Sequence, residues 1–103
     1  MEYLNDILNV LYLLPMKISL QADIYKSLGH EKRLEMVRLL KINKHLTVGQ
    51  MAQALHLSIQ MTSQHLRLLE KFHILESSKE GLQVFYFLRK PSYPIIKMIL
   101  TLL

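Results

Sequence analysis

The chain contains no cysteine, which excludes disulfides, thiol switches, cysteine-ligated zinc and iron–sulfur clusters together and fits a cytoplasmic setting. Glycine occurs only three times, and aspartate only at Asp6 and Asp23. So little glycine leaves no phosphate-cradling loop, and no serine stands in a nucleophile-elbow context. Neither an enzyme nor a bound cofactor is expected. Long hydrophobic runs are missing too. The terminal IIKMILTLL is far shorter than the roughly 20 residues of a membrane span, and Lys97 interrupts it. Near the start, LNDILNVLYLLP has no basic leader, follows Glu2, contains Asp6 and lacks a small-residue cleavage pattern. No membrane partner is expected.

Negative charge is scarce, with eight Asp and Glu against thirteen Lys and Arg for a formal net charge of +5. That balance suits a polyanionic partner without requiring one. Apolar residues, by contrast, make up 50% of a chain of 103 residues. One small domain, residues 1–103, buries only part of such a surface by itself, so burial between two copies of the chain is expected.

Leu4, Ile7, Leu8, Leu11 and Leu14 recur at helical spacing before Pro15, which ends a first helix. Ser19 is placed to cap a second helix reaching Leu28, with Gly29 just past its end. From His30 to about Asn43, Leu34, Val37 and Leu40 form one row, and Met36 and Leu39 widen the apolar arc as in a helix packed on several sides. Thr47 and Gln50 fit a capping box, after which Val48, Met51, Ala52 and Leu55 face inward. Beyond His56 and Leu57, Ser58 caps another helix to about Phe72, leaving only a tight turn between the two. Residues 47–72 therefore have a helix-turn-helix pattern. ILESS and LQVFYFL then flank Lys79-Glu80-Gly81, which predicts a two-stranded hairpin, or wing, over residues 74–88. Pro91 and Pro94 precede a last helix from Ile95 to Leu103, in which only Lys97 and Thr101 are polar. Both ends of the chain are too apolar for a solvated face.

At 100° per residue, Ile59, Thr62, Leu66 and Leu69 form one row of the second motif helix, and Met61, His65, Leu68 and Phe72 form an adjacent one. These make its inward side. Opposite them lie Gln60, Gln64, Arg67 and Lys71, with Ser63 alongside. That stripe suits double-stranded DNA. Glutamine bonds adenine through two edges, arginine reaches guanine or phosphate, serine reaches either, and the N-terminal end of such a helix enters the major groove. Gln60, Ser63 and Gln64 are placed for bases, Arg67 and Lys71 for phosphate, and Met61 sits at the edge near a thymine methyl. Ser58 at the helix start and Lys79 on the wing complete the expected DNA-binding set. A solvated polar face accounts for the stripe taken alone. What points to DNA is the order: capped helix, tight turn, capped helix with an uncharged polar first face, then hairpin.

Other residue groups have plainer explanations. His30 reads as a helix start, His56 as a turn and His65 as a partly buried helix residue, so the five histidines do not compose a metal site. Glu2 and Asp6 read as solvated carboxylates. Met36 and Met51 are core by periodicity. Arg33, Arg38, Lys32, Lys41 and Lys44 give the central helix a basic bias that solubility explains, offset by Glu31 and Glu35.

The segments KSLGHEKRLEMVRLL, LTVGQMAQALHLSIQMTSQHLRLLEKFHIL and EGLQVFYFL, within residues 26–88, together resemble the ArsR/SmtB family of bacterial winged-helix repressors. The resemblance implies a mainly α fold with a small β-hairpin, a winged helix-turn-helix, and a homodimer joined by its N- and C-terminal helices. Residues 1–28 and 91–103 are then the dimerisation helices, through Leu4, Ile7, Leu8 and Leu11 at one end and Ile95, Ile96, Ile99 and Leu102 at the other. It also implies binding to an inverted repeat in a promoter. The chain departs from the family at its metal sites. Thr47, Val48 and Gly49 stand where metal-sensing members carry Cys-x-Cys, and no Asp, Glu or His follows Glu80. The expected activity is sequence-specific transcriptional regulation, by repression and without metal sensing, with an unidentified small-molecule or protein effector left open. Two alternatives stay open: a winged-helix module that binds protein through the LQVFYFL strand, and an activator of the same fold that displaces a silencing protein.

Overall fold

The computed structural model describes residues 17–90 and 92–103. The first expected helix, with Leu4, Ile7, Leu8 and Leu11, lies outside the described residues, as does Pro91. Helix α1 spans Ile18–Leu28, and Ser19 is not its cap: Lys17 holds the N-cap position with no side-chain bond, which leaves Ser19 in the first turn. Helix α2, Glu31–Ile42, starts at His30, whose Nδ1 accepts the Lys32 amide at 3.1 Å.

Helix α3, Val48–Leu55, opens on a reciprocal capping box. Thr47 Oγ1 accepts the Gln50 amide at 3.1 Å, while Gln50 Oε1 accepts the Thr47 amide at 2.9 Å. Helix α4, Ile59–Lys71, opens on Ser58, whose Oγ accepts the Met61 amide at 3.1 Å. Both motif helices end the same way. His56 and His73 adopt left-handed backbone at φ 56° and φ 60°, a region histidine enters more readily than most side chains. The amide of Leu57 then reaches the Ala52 carbonyl at 3.0 Å, and that of Ile74 reaches Leu69 at 3.0 Å. These are the long closing bonds of Schellman motifs, with histidine in the position glycine usually takes. The first sets the turn between α3 and α4, and the second turns α4 into the wing.

The wing consists of β2, Leu75–Glu80, antiparallel to β3, Gln83–Leu88. Lys79 and Glu80, expected in the connection, belong instead to the strand and pair with Val84 and Gln83. Only Gly81 and Leu82 form the turn. Gly81 sits at φ 61°, which fits the Gly-X form of a two-residue hairpin turn. A short strand β1, Leu46–Thr47, lines the other edge of β3, with Leu46 opposite Tyr86 and Thr47 opposite Phe85, so the order is β1-β3-β2. Two residues are too few to show alternation, so the sequence carries no sign of β1. Strand alternation sends Tyr86 and Leu75 inward to meet Ile24 of α1, Met36, Val37 and Leu40 of α2, Met51 of α3, and Leu66 and Leu69 of α4 in one core.

Helix α5, Pro94–Leu102, carries proline in its first turn, where the missing amide is unneeded. It docks on α2, with Lys41 Nζ donating to the Leu100 carbonyl at 2.7 Å. Ile96 is buried in the chain's own core, which places it inside the chain and not on the surface expected to meet a partner. Ile95 and Ile99 are partly buried against the same core, whereas Met98 and Leu102 point outward. Among the described residues no helix is long and apolar enough to cross a membrane.

Candidate nucleic-acid interface

On the inner side of α4, Thr62, His65, Leu66 and Leu69 are buried, and Thr62 Oγ1 donates to the Ser58 carbonyl at 2.8 Å. The inward rows fail at the start of the helix, where Ile59 is 58% and Met61 47% exposed. The first turn projects past the core, so residues at inward angles meet protein only from Thr62 onward. Ile59, assigned to the buried side by periodicity, thus joins Met61 on the exposed N-terminal tip.

Gln60, Gln64, Arg67 and Lys71 are exposed along the outer side, with Ser63 half-buried beside them. At 1.5 Å per residue the stripe from Gln60 to Lys71 is about 16 Å long, against a major groove about 12 Å wide. Gln60, Ser63 and Gln64 fall within the first two turns of the helix. Arg67 and Lys71 lie roughly 10–16 Å beyond Gln60 along the helix axis. Ser58 is exposed, but its Oγ is already engaged by the Met61 amide.

Arg67 folds back along the helix, Nε donating to the Ser63 carbonyl at 3.4 Å. Burial first, and then the Glu70 carboxylate, push the Tyr86 phenol up from its ordinary pKa, with the Arg67 cation opposing them. Glu70 also accepts a hydrogen bond from Ser77 Oγ, tying α4 to β2. The Lys71 ammonium lies 5.7 Å from the Phe72 ring centroid. Lys79 is exposed on β2 and Leu82 fully exposed at the wing tip.

Behind the stripe, Arg33 joins three helices. Its Nε donates to the Ser27 carbonyl at the end of α1, and its Nη1 lies 3.3 Å from His65 Nδ1. A guanidinium only donates, so Nδ1 accepts and the ring proton resides on Nε2. Burial, then the His30 ring at a centroid distance of 4.7 Å, then Arg33, hold the His65 pKa below its ordinary value. A neutral His65 therefore fixes α4 against α1 and α2. Periodicity placed His65 on the inward side but carried no sign of its partner, and Arg33 read as a solubilising charge.

Residues 30–77 match the sequence profile of the family described as "Bacterial regulatory protein, arsR family". The cadmium resistance transcriptional regulatory protein CadC of Listeria innocua is 35% identical over 68 residues, 66% of this chain and 57% of CadC. The chain thus matches little more than half of that relative. The transcriptional repressor PagR of Bacillus anthracis is 32% identical over 85 residues, 82% of this chain and 85% of PagR. Among solved structures, HlyU from Vibrio cholerae superposes with a TM-score of 0.72 at 31% identity, covering 84% of this chain and 94% of HlyU. With the capped helix pair, its tight turn and the following hairpin in the same order, the chain belongs to the arsR family of bacterial regulatory proteins and has a winged helix-turn-helix fold.

Proposed function

We propose that the protein is a sequence-specific DNA-binding transcription regulator that acts as a homodimer and represses by occupying an inverted-repeat promoter site. The observation that carries this reading is the exposed outer face of α4, uncharged and polar over its first two turns and cationic beyond them. Gln60, Ser63 and Gln64 read base edges, Met61 contacts a thymine methyl, and Arg67, Lys71 and Lys79 meet phosphate. Ser58 holds the helix end that enters the groove. A net charge of +5 favours the same partner.

Repression is favoured by PagR, named a transcriptional repressor and matched over 85% of its length. Dimerisation is supported by the outward Met98 and Leu102 of α5, which are 64% and 86% exposed. Leu4, Ile7, Leu8 and Leu11 are assigned to the same interface because the family resemblance implies a dimer joined by its N- and C-terminal helices. The name of CadC concerns cadmium, but this chain has no cysteine. Among the described residues no three His, Asp or Glu side chains gather to hold a metal. With no cysteine, and with Thr47, Val48 and Gly49 where metal-sensing members carry Cys-x-Cys, the proposed inducing signal is something other than a metal. The relatives are regulators and not enzymes, and a cytoplasmic location fits this role.

Fluorescence anisotropy with DNA from the gene's own upstream region, compared with scrambled DNA across a salt series, tests the proposal. Tighter, salt-dependent binding to the upstream fragment is expected. Equal weak binding to both, followed by failure of selection from random DNA, would refute it.

A further inference from the structure

The side of the wing turned away from the core is not polar throughout. Register pairs Glu76 with Phe87 and Ser78 with Phe85, and alternation puts these four on the face opposite buried Leu75 and Tyr86. Both phenylalanines are only partly covered. The base of this face meets the C-terminal end of α2 around a cavity of about 630 Å³. That volume lies within the roughly 300–1,000 Å³ of small-molecule sites.

The cavity has an apolar floor and a cationic rim. Leu40, Phe87 and Leu88 supply the floor, and Lys41, Lys44 and Lys90 stand around it with His45 and a single carboxylate, Glu76. Counting the lysines against Glu76 leaves a formal excess of two positive charges. Lys41 already donates to the Leu100 carbonyl, whereas Lys44 and Lys90 are exposed and, among the described residues, form no ion pair. The His45 ring stands edge-on to Phe85 at 5.3 Å. Beyond it a second hollow of about 220 Å³ shares His45 and Phe87 and runs towards Ser78 and Glu80. The carboxylate at that far end disfavours a second anionic group and leaves room for one charged head with an apolar body.

We propose that this cavity binds a small single-headed organic anion, its carboxylate at Lys44 and Lys90 and its hydrocarbon part on Leu40, Phe87 and Leu88. None of these residues belongs to the outer stripe of α4, so the ligand and DNA occupy different surfaces. The site joins α2 to the wing and, through Lys41, to α5. Its occupant therefore bears on how the wing sits relative to the last helix, and the assignment stands independently of the DNA reading.

Calorimetric titration of the full chain with octanoate, below its micelle concentration and at low salt, is the test. One saturable octanoate site per chain is expected. The exposed double variant K44Q/K90Q should melt at the wild-type temperature and bind about three- to tenfold more weakly, as partly solvated ion pairs imply. Octyltrimethylammonium, with the same tail and opposite charge, should bind more weakly than octanoate. In two-dimensional NMR the octanoate-induced shifts should centre on Leu40, Phe87 and Leu88. Non-saturating uptake, equal binding of the cation, an unchanged K44Q/K90Q affinity, or shifts centred on Met98 and Leu102 would each overturn the proposal.

Discussion

Replacing Gln64 with alanine separates base reading from every other role of α4. Gln64 is exposed in the second turn of the helix, about 9 Å along the axis from Ser58, and so within the groove in the proposed complex. A glutamine amide bonded to both adenine N6 and N7 contributes roughly 1–3 kcal/mol of discrimination. At 1.4 kcal/mol per decade, that is about five- to 150-fold in affinity at a single base pair. Alanine is a stronger helix former, so Gln64→Ala should leave the melting temperature unchanged or slightly raised. The assay is anisotropy on a selected site and its full set of single-base-pair variants. For the wild type, one or two positions should show the strong preference; for Gln64→Ala the preference at those positions should collapse while the others keep theirs. A uniform loss over all sequences, or an intact profile, would refute the placement of Gln64 against a base.

Arg67→Ala should reduce the slope of log affinity against log salt by about 0.9, the value of one phosphate contact on B-DNA; an unchanged slope removes Arg67 from the backbone set. Thr47→Ala breaks a capping box formed in both directions and should lower stability by about 1 kcal/mol in urea titration, an unchanged midpoint meaning that the cap contributes nothing. His65 has its folded-state pKa lowered from 6.5, so the unfolded chain takes up that proton first. Its contribution is full above about pH 6.5 and is lost as pH falls towards the folded pKa, and His65→Gln should flatten this part of the stability profile; identical profiles would refute it. Met98→Glu with Leu102→Glu, both on the outward side of α5, should shift sedimentation from dimer to monomer at unchanged helicity, and a persistent dimer would move the interface elsewhere.

Capping was legible because it is local. The Thr47–Gln50 and Ser58–Met61 bonds each span three residues, so the sequence itself fixes where α3 and α4 begin. It does the same for the outer stripe from Gln60 to Lys71, which follows from helical periodicity alone. At Ser19 the same reasoning failed, since a capping residue type fixes a helix start only where the chain around it lets the helix begin there. The hairpin was legible in its two β-rich runs, but not in its turn. Strand pairing extends to Glu80 and Gln83, and the pairing partner is not a local property.

What the sequence by itself determined is thus the presence of helices α1 to α5, the caps of the two motif helices, and the polar face that the motif presents. Tertiary structure alone decided where each of those faces ends. It left Ile59 and Met61 in solvent because the first turn of α4 overhangs the core, and it drew Ile96 inward because α5 packs on α2. It added β1 as a third strand, which exists only by pairing with β3. It also set Arg33 against His65 across 32 positions of chain, and formed an open-sided cavity between α2 and the wing. Each of these depends on contacts between elements distant in sequence, and no local period or cap encodes which distant neighbour a side chain will meet.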